Sequence, residues 1–132
     1  MNIVVIDGQG GRLGAALVER IRNELPQAEL TACGTNAIAT AAMLKAGADK
    51  GATGENPVIV AARRADVIIG PIGILAADAL LGEVTAAMAA AVGAAQAKKL
   101  LIPMNRCGIA VMGVQELTMN EYIQQVLEVL KG

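Results

Sequence analysis

The sequence contains no histidine, and that one absence excludes His-based catalytic triads and His-ligated zinc. Aromatic residues are almost as scarce. Tyr122 stands alone, so Ile, Val, Leu, Met and Ala must fill the core, and the stacking platforms of single-strand and RNA binders are missing. Positive charge is not in excess either. Lys and Arg number 11 against 12 Asp and Glu, a formal net charge of −1, which leaves no basic footprint for nucleic acid. The two cysteines, Cys33 and Cys107, form no CxxC and are too few for a disulfide framework. The longest apolar stretch, residues 67–97, is broken by Asp78 and Glu83 and is largely alanine, so it reads as buried helix and strand rather than membrane span. Residues 1–6 lack the basic flank of a secretory signal. The expected setting is the cytoplasm, with neither nucleic acid nor membrane as partner.

A chain of 132 residues suits one domain, residues 1–132, able to bury about two-thirds of its unfolded surface without metals or disulfides. Its elements alternate. Ile3 to Ile6 is a continuous apolar run, the pattern of a strand covered on both faces. Leu13, Leu17 and Ile21 then recur at helical spacing until Pro26. A second strand is predicted over Glu29 to Cys33, and a helix over Asn36 to Ala46 with Gly47 as its C-terminal cap. A short strand is expected within Ala48 to Thr53. Asn56 before Pro57 predicts a helix start, and that helix yields to a strand at Val67 to Ile69. A short helix at Leu75 to Leu81 and a longer one capped by Thr85 and reaching Ala97 come next. Strands are expected at Leu100 to Ile102 and Ile109 to Val114. Thr118 and Glu121 form a capping box before a last helix carrying Ile123, Val126, Leu127 and Leu130. This rhythm predicts an α/β, Rossmann-like, three-layer α/β/α fold with a mostly parallel sheet of five or six strands.

In such folds ligands sit beyond the C-terminal ends of the strands, where the strand order reverses. The loop leaving the first strand reads Asp7-Gly8-Gln9-Gly10-Gly11-Arg12-Leu13-Gly14. Strict G-x-G-x-x-G spacing fails because position 13 is Leu, but two variants fit: G-x-G-x-x-x-G through Gly8, Gly10 and Gly14, and G-x-x-G-x-x-G through Gly8, Gly11 and Gly14. Here Gly8 makes a tight turn, Gly10 or Gly11 lets a ligand approach the backbone, and Gly14 lets helix and strand pack closely. N–H groups of the first helical turn would face a phosphate, with Arg12 adding a charged contact. Other polar clusters follow later strands: Gly34, Thr35 and Asn36; Thr53, Glu55 and Asn56; Gly70, Pro71 and Gly73; Asn105, Arg106 and Cys107. The first and third are candidates for cofactor binding. Thr53, Glu55, Asn56, Asn105 and Arg106 are candidates for substrate. Asn36 and Asn56 also suit helix caps, and Gly70-Pro71 also suits a plain turn. Cys107 beside Arg106 is a candidate nucleophile, and Asp7 a candidate proton-transfer group; the other reading of Cys107 is a small buried thiol. No metal site is expected. With strand order 3-2-1-4-5, Cys33 and Cys107 would end strands about 14 Å apart, beyond the reach of about 7 Å for a disulfide.

The glycine loop, together with Ala65-Asp66-Val67-Ile68-Ile69, resembles extended short-chain dehydrogenases and prephenate-dehydrogenase-like proteins. That resemblance implies a nucleotide ligand, NADP(H)-like because no acidic residue ends the second strand and Gly34, Thr35 and Asn36 stand where a 2′-phosphate would lie. The Tyr-x-x-x-Lys of short-chain dehydrogenases is absent. Across most of its length the chain also resembles a small uncharacterised bacterial family, a domain of unknown function. The shared segments are I-D-G-Q-G-G, G-T-N-A, K-A-G-A-D, G-A-T-G-E-N, G-P-I-G-I and I-P-x-N-R-C, at residues 6–11, 34–37, 45–49, 51–56, 70–74 and 102–107. Three readings stay open: a module binding a small phosphate-bearing ligand; a small enzyme using Asp7, Asn105, Arg106 and Cys107; and a homo-oligomeric subunit with a vestigial loop.

Overall fold

The computed structural model describes residues 1–104 and 108–132. Five strands form one parallel sheet: β1 (Asn2–Asp7), β2 (Glu29–Gly34), β3 (Lys50–Thr53), β4 (Val67–Pro71) and β5 (Lys98–Ile102), in the order β3-β2-β1-β4-β5. Between and after them come α1 (Arg12–Glu24), α2 (Ala37–Ala46), α3 (Glu55–Arg64), α4 (Ala86–Ala94) and α5 (Met119–Lys131). The α/β/α layering expected from the alternating pattern is therefore present.

Period-two alternation along β1 decides which layer each side chain joins. Ile3 and Val5 point to the core beneath α1, α2 and α5, with Leu17, Ile21, Met43, Ile123 and Leu127. Val4 and Ile6 point to the opposite core beneath α3 and α4, with Val58, Ile68, Met88 and Val92. Each such aliphatic side chain contributes about 1.5–3 kcal/mol on burial. That is how a core with a single tyrosine holds together. Tyr122 is buried, donating its hydroxyl to the Gln115 carbonyl at 2.7 Å and accepting from the Leu117 N–H at 3.1 Å. The capping box closes as expected, with Thr118 Oγ1 accepting from the Glu121 N–H at 3.2 Å and Glu121 Oε1 accepting from the Thr118 N–H at 3.0 Å.

Three expectations fail. Residues 109–114 form no strand; Gly108 and Gly113, with φ of 80° and 83°, turn the chain on either side of the apolar run. The helix expected at Leu75 to Leu81 is instead a short 3₁₀ turn at Ile72–Leu75 followed by tight turns. Asp78, Leu80 and Leu81 adopt left-handed backbone with φ of 66°, 57° and 56°, which no continuing right-handed helix allows. Finally, α3 starts before Asn56: Gly54 is the N-cap, and Pro57 sits inside the first turn, where a missing N–H costs no helical bond. Smaller shifts occur elsewhere. α4 stops at Ala94 because Ala95 is already extended, and the chain enters β5 at Lys98.

Candidate functional site

The tight turn at the end of β1 is closed by the Gly11 N–H donating to the Gly8 carbonyl at 2.9 Å. Gly11 has φ of 74°, and a Cβ there would stand 2.8 Å from the Ala39 Cα, so the turn requires glycine twice over. Gly14 lies underneath, against Met43 and Asp7, and serves helix packing as the sequence suggests. Gly8, Gln9, Gly10, Gly11, Arg12 and Leu13 line a pocket of about 410 Å³ together with Asp7, Met104 and Met119. Among the described residues no hydrogen bond engages the N–H groups of Gly10, Arg12 or Leu13. Those donors and the exposed Arg12 side chain are what the pocket offers an anion.

Asp7 borders this pocket but is only 4 % exposed. Its Oδ1 accepts from the Gly8 N–H at 2.8 Å and its Oδ2 from the Gly14 N–H at 2.7 Å. Burial raises its pKa above the ordinary carboxylate range; the N–H bonds from Gly14 and Gly8 oppose that rise, and the charge of Glu83 adds to it. The carboxylate thus takes two of the loop's donors for itself and pins the strand to the helix.

Beyond β2 the structure supplies a residue that sequence reasoning passed over. Glu83, carried on the segment between β4 and α4, sends one oxygen to three donors. Oε1 accepts from the Gln9 N–H at 2.9 Å, from Thr35 Oγ1 at 2.6 Å and from Asn36 Nδ2 at 2.8 Å. Burial pushes its pKa up, but the bonds from Thr35, the Gln9 N–H and Asn36 outweigh that and hold the carboxyl below its usual value. The available signal was its position as one of two charges interrupting an apolar stretch. Thr35 and Asn36, expected at a 2′-phosphate, hold this carboxylate. Asn36 also caps α2 through Oδ1, which accepts from the Ala39 N–H at 2.9 Å.

The remaining expected positions disperse. Gly34 is packed against Thr40 and the Asn36 backbone. Gly70 and Pro71 are buried at the end of β4, where a Cβ on Gly70 would meet the Ile6 carbonyl at 2.4 Å. Gly73 is buried in the 3₁₀ turn. Thr53 shares a hydroxyl–hydroxyl bond of 2.7 Å with Thr40. Glu55 accepts from Thr85 Oγ1 at 2.6 Å, and Asn56 lines a separate pocket with Cys33 and Pro57. Asn105, Arg106 and Cys107 lie outside the described residues, and with them the second half of the disulfide question. Cys33 is a free buried thiol, its pKa pushed up by burial to about 11. Among the described residues no group of three acidic or cysteine side chains is placed to hold a metal ion, and no helix is long and apolar enough to cross a membrane. An apolar groove of about 380 Å³ between β5 and α5, lined mainly by Leu, Ile and Val, offers no comparable set of donors.

A family model described as "Domain of unknown function (DUF3842)" matches residues 2–132. The chain belongs to this family. No curated protein matches the sequence. Among solved structures, a dodecameric FMN-dependent UbiX-like decarboxylase from Escherichia coli O157:H7 superposes with a TM-score of 0.56. It is 20% identical, over 100% of this chain and 96% of that one. At that identity the likeness is one of fold, and it agrees with the parallel five-stranded sheet and the Rossmann-like layering of the DUF3842 chain.

Proposed function

We propose that this DUF3842 protein binds a phosphate-bearing ligand of nucleotide type in the pocket lined by Gly8 to Leu13. The observation that carries the reading is the pocket itself, which Arg12 also lines and where, among the described residues, the N–H groups of Gly10, Arg12 and Leu13 have no hydrogen-bond partner. A volume of about 410 Å³ lies within the range for small-molecule sites. Mononucleotides are favoured over NADP(H), whose 2′-phosphate would first have to displace Glu83 from Thr35 and Asn36. The FMN dependence of the superposable decarboxylase makes flavin mononucleotide the first candidate. A binding role is favoured over catalysis, since both oxygens of Asp7 are already occupied by backbone donors.

The test is a thermal-shift panel with FMN, FAD, NADP(H), NAD(H), ATP, GTP, S-adenosylmethionine and inorganic phosphate, with and without magnesium. A ligand at about 100 times its Kd adds about 2.7 kcal/mol. The shift is expected to disappear in Gly10→Val and in Arg12→Ala. Flat curves across the panel would overturn the reading and leave the oligomeric one. A homo-oligomer is itself part of the proposal, supported by the dodecamer of the superposable protein and by Leu81 and Met112, exposed at 96% and 83%. Sedimentation velocity checks it, and a monomer at micromolar concentration would remove it.

A further inference from the structure

Glu83 reaches its three donors across 74, 48 and 47 residues of sequence, so the contact is tertiary and not a local turn. Two of the three donor residues are also held elsewhere. The Thr35 backbone N–H is bound to the Asp7 carbonyl at 3.0 Å. Asn36 is held by its cap to Ala39 and by a second bond from Nδ2 to the Gln9 carbonyl at 2.9 Å. A backbone N–H, a hydroxyl and an amide converging on one carboxylate oxygen make a receptor for an anion, and here the anion comes from the chain itself. None of Thr35, Asn36 and Glu83 lines the 410 Å³ pocket, and of the receptor's residues only Gln9 does.

The segment that delivers Glu83 is unusual. Ala79, Leu80 and Val84 are buried, Leu80 pressing toward Gly8, while Leu81 is 96% exposed. Asp78, Leu80, Leu81 and Gly82 all have positive φ, between 56° and 89°. Three non-glycine residues in that conformation are retained only where the surroundings over-determine them. The closed segment therefore stores strain, and the Glu83 clamp opposes its release.

We propose that the Gln9 N–H, the Thr35 hydroxyl and the Asn36 amide form a second anion seat. Glu83 occupies it as a tethered competitor, and a phosphate group displaces it by opening residues 76–84. A tethered group acts at an effective concentration in the millimolar range, so it masks the seat from dilute ligand. The inference shares the glycine loop with the proposed function but uses different donors, and the two are separable by experiment.

Inorganic phosphate is the probe, followed by titration calorimetry on the full chain. Wild type is expected to bind one phosphate. Glu83→Ala should gain a second, at least tenfold tighter than any second site in wild type, and Arg12→Ala in that background should lose only the first. An unchanged count in Glu83→Ala overturns the second seat while leaving the pocket untouched. A wild type that binds none, with Glu83→Ala binding one, overturns the pocket reading and upholds the seat. Should Glu83→Ala not fold, Glu83→Gln keeps the shape of the side chain without its charge. Amide exchange across residues 78–84 of that variant should then quicken at least tenfold when phosphate is added. Exchange independent of phosphate would overturn the proposal.

Discussion

The four glycines around the β1–α1 turn have different work, and alanine substitution should separate it. At Gly14 a Cβ would stand 2.6 Å from Met43 Sδ and 2.8 Å from the Asp7 Cβ. Met43 has a flexible end, but Asp7 is fixed by its two N–H bonds. Overpacking of this kind costs about 1–3 kcal/mol, and the better helix propensity of alanine returns up to about 1. The net loss for Gly14→Ala is about 1–2 kcal/mol, which lowers Tm by roughly 5 °C in a domain of this size. At Gly10 the same Cβ meets nothing within 4 Å, and the backbone is not left-handed. Gly10→Ala should therefore keep its stability or gain up to about 1 kcal/mol through a less flexible unfolded chain. Yet Gly10 lines the pocket, so this variant should lose the stabilisation that phosphate or FMN confers on wild type. Differential scanning calorimetry with and without ligand reads both quantities. If Gly10→Ala melted as low as Gly14→Ala, the division between packing and ligand-facing glycines would be wrong.

Further outcomes follow from the same geometry. Asp7→Asn places an amide N–H₂ against one of two backbone N–H donors and should cost about 1–3 kcal/mol in urea unfolding; a neutral effect would show that the carboxylate is not the pin. Because the Glu83 pKa is lowered from 4.5, its clamp contributes stability above that pH and loses it as pH falls through the depressed value. Asp7, the facing acid, is shifted the other way, so the comparison of wild type with Glu83→Gln isolates Glu83; parallel acid limbs would refute its role. Cys33, with a thiol raised to about 11 by burial, should resist alkylation at pH 8 in a Cys107→Ser background until denaturant is added. Thr118→Ala should cost about 1 kcal/mol by removing the cap on α5.

The five paired strands, the α1 and α5 stripes and the capping box were legible because each rests on local rules: an apolar run between glycines, a 3.6-residue stripe, a T-x-x-E box. Gly14 was read correctly for the same reason, since close helix–strand packing follows from its place after the turn. Residues 109–114 misled because an apolar run states burial, and whether it pairs as a strand depends on glycines at 108 and 113 turning the chain. Glu83 was not legible as a partner of Thr35. The bond spans 48 residues, and no periodicity or spacing connects a carboxylate after β4 to a hydroxyl after β2. The same limit applied to Asp7. Its position in the motif suggested a proton-transfer group, and only the fold brings the Gly14 N–H round to meet it.

The central place of β1 also bears on the order in which the molecule can assemble. β1 pairs with β2 on one edge but with β4 on the other, so its second edge stays unpaired until Val67 has been made. α1 and α2 are close in sequence, whereas α5, which covers the same face, follows β5. Such long-range parallel pairings form slowly and leave apolar surface open meanwhile. A nascent chain that has made β5 but not α5 has all five strands available while the α1 side of the sheet is still partly bare.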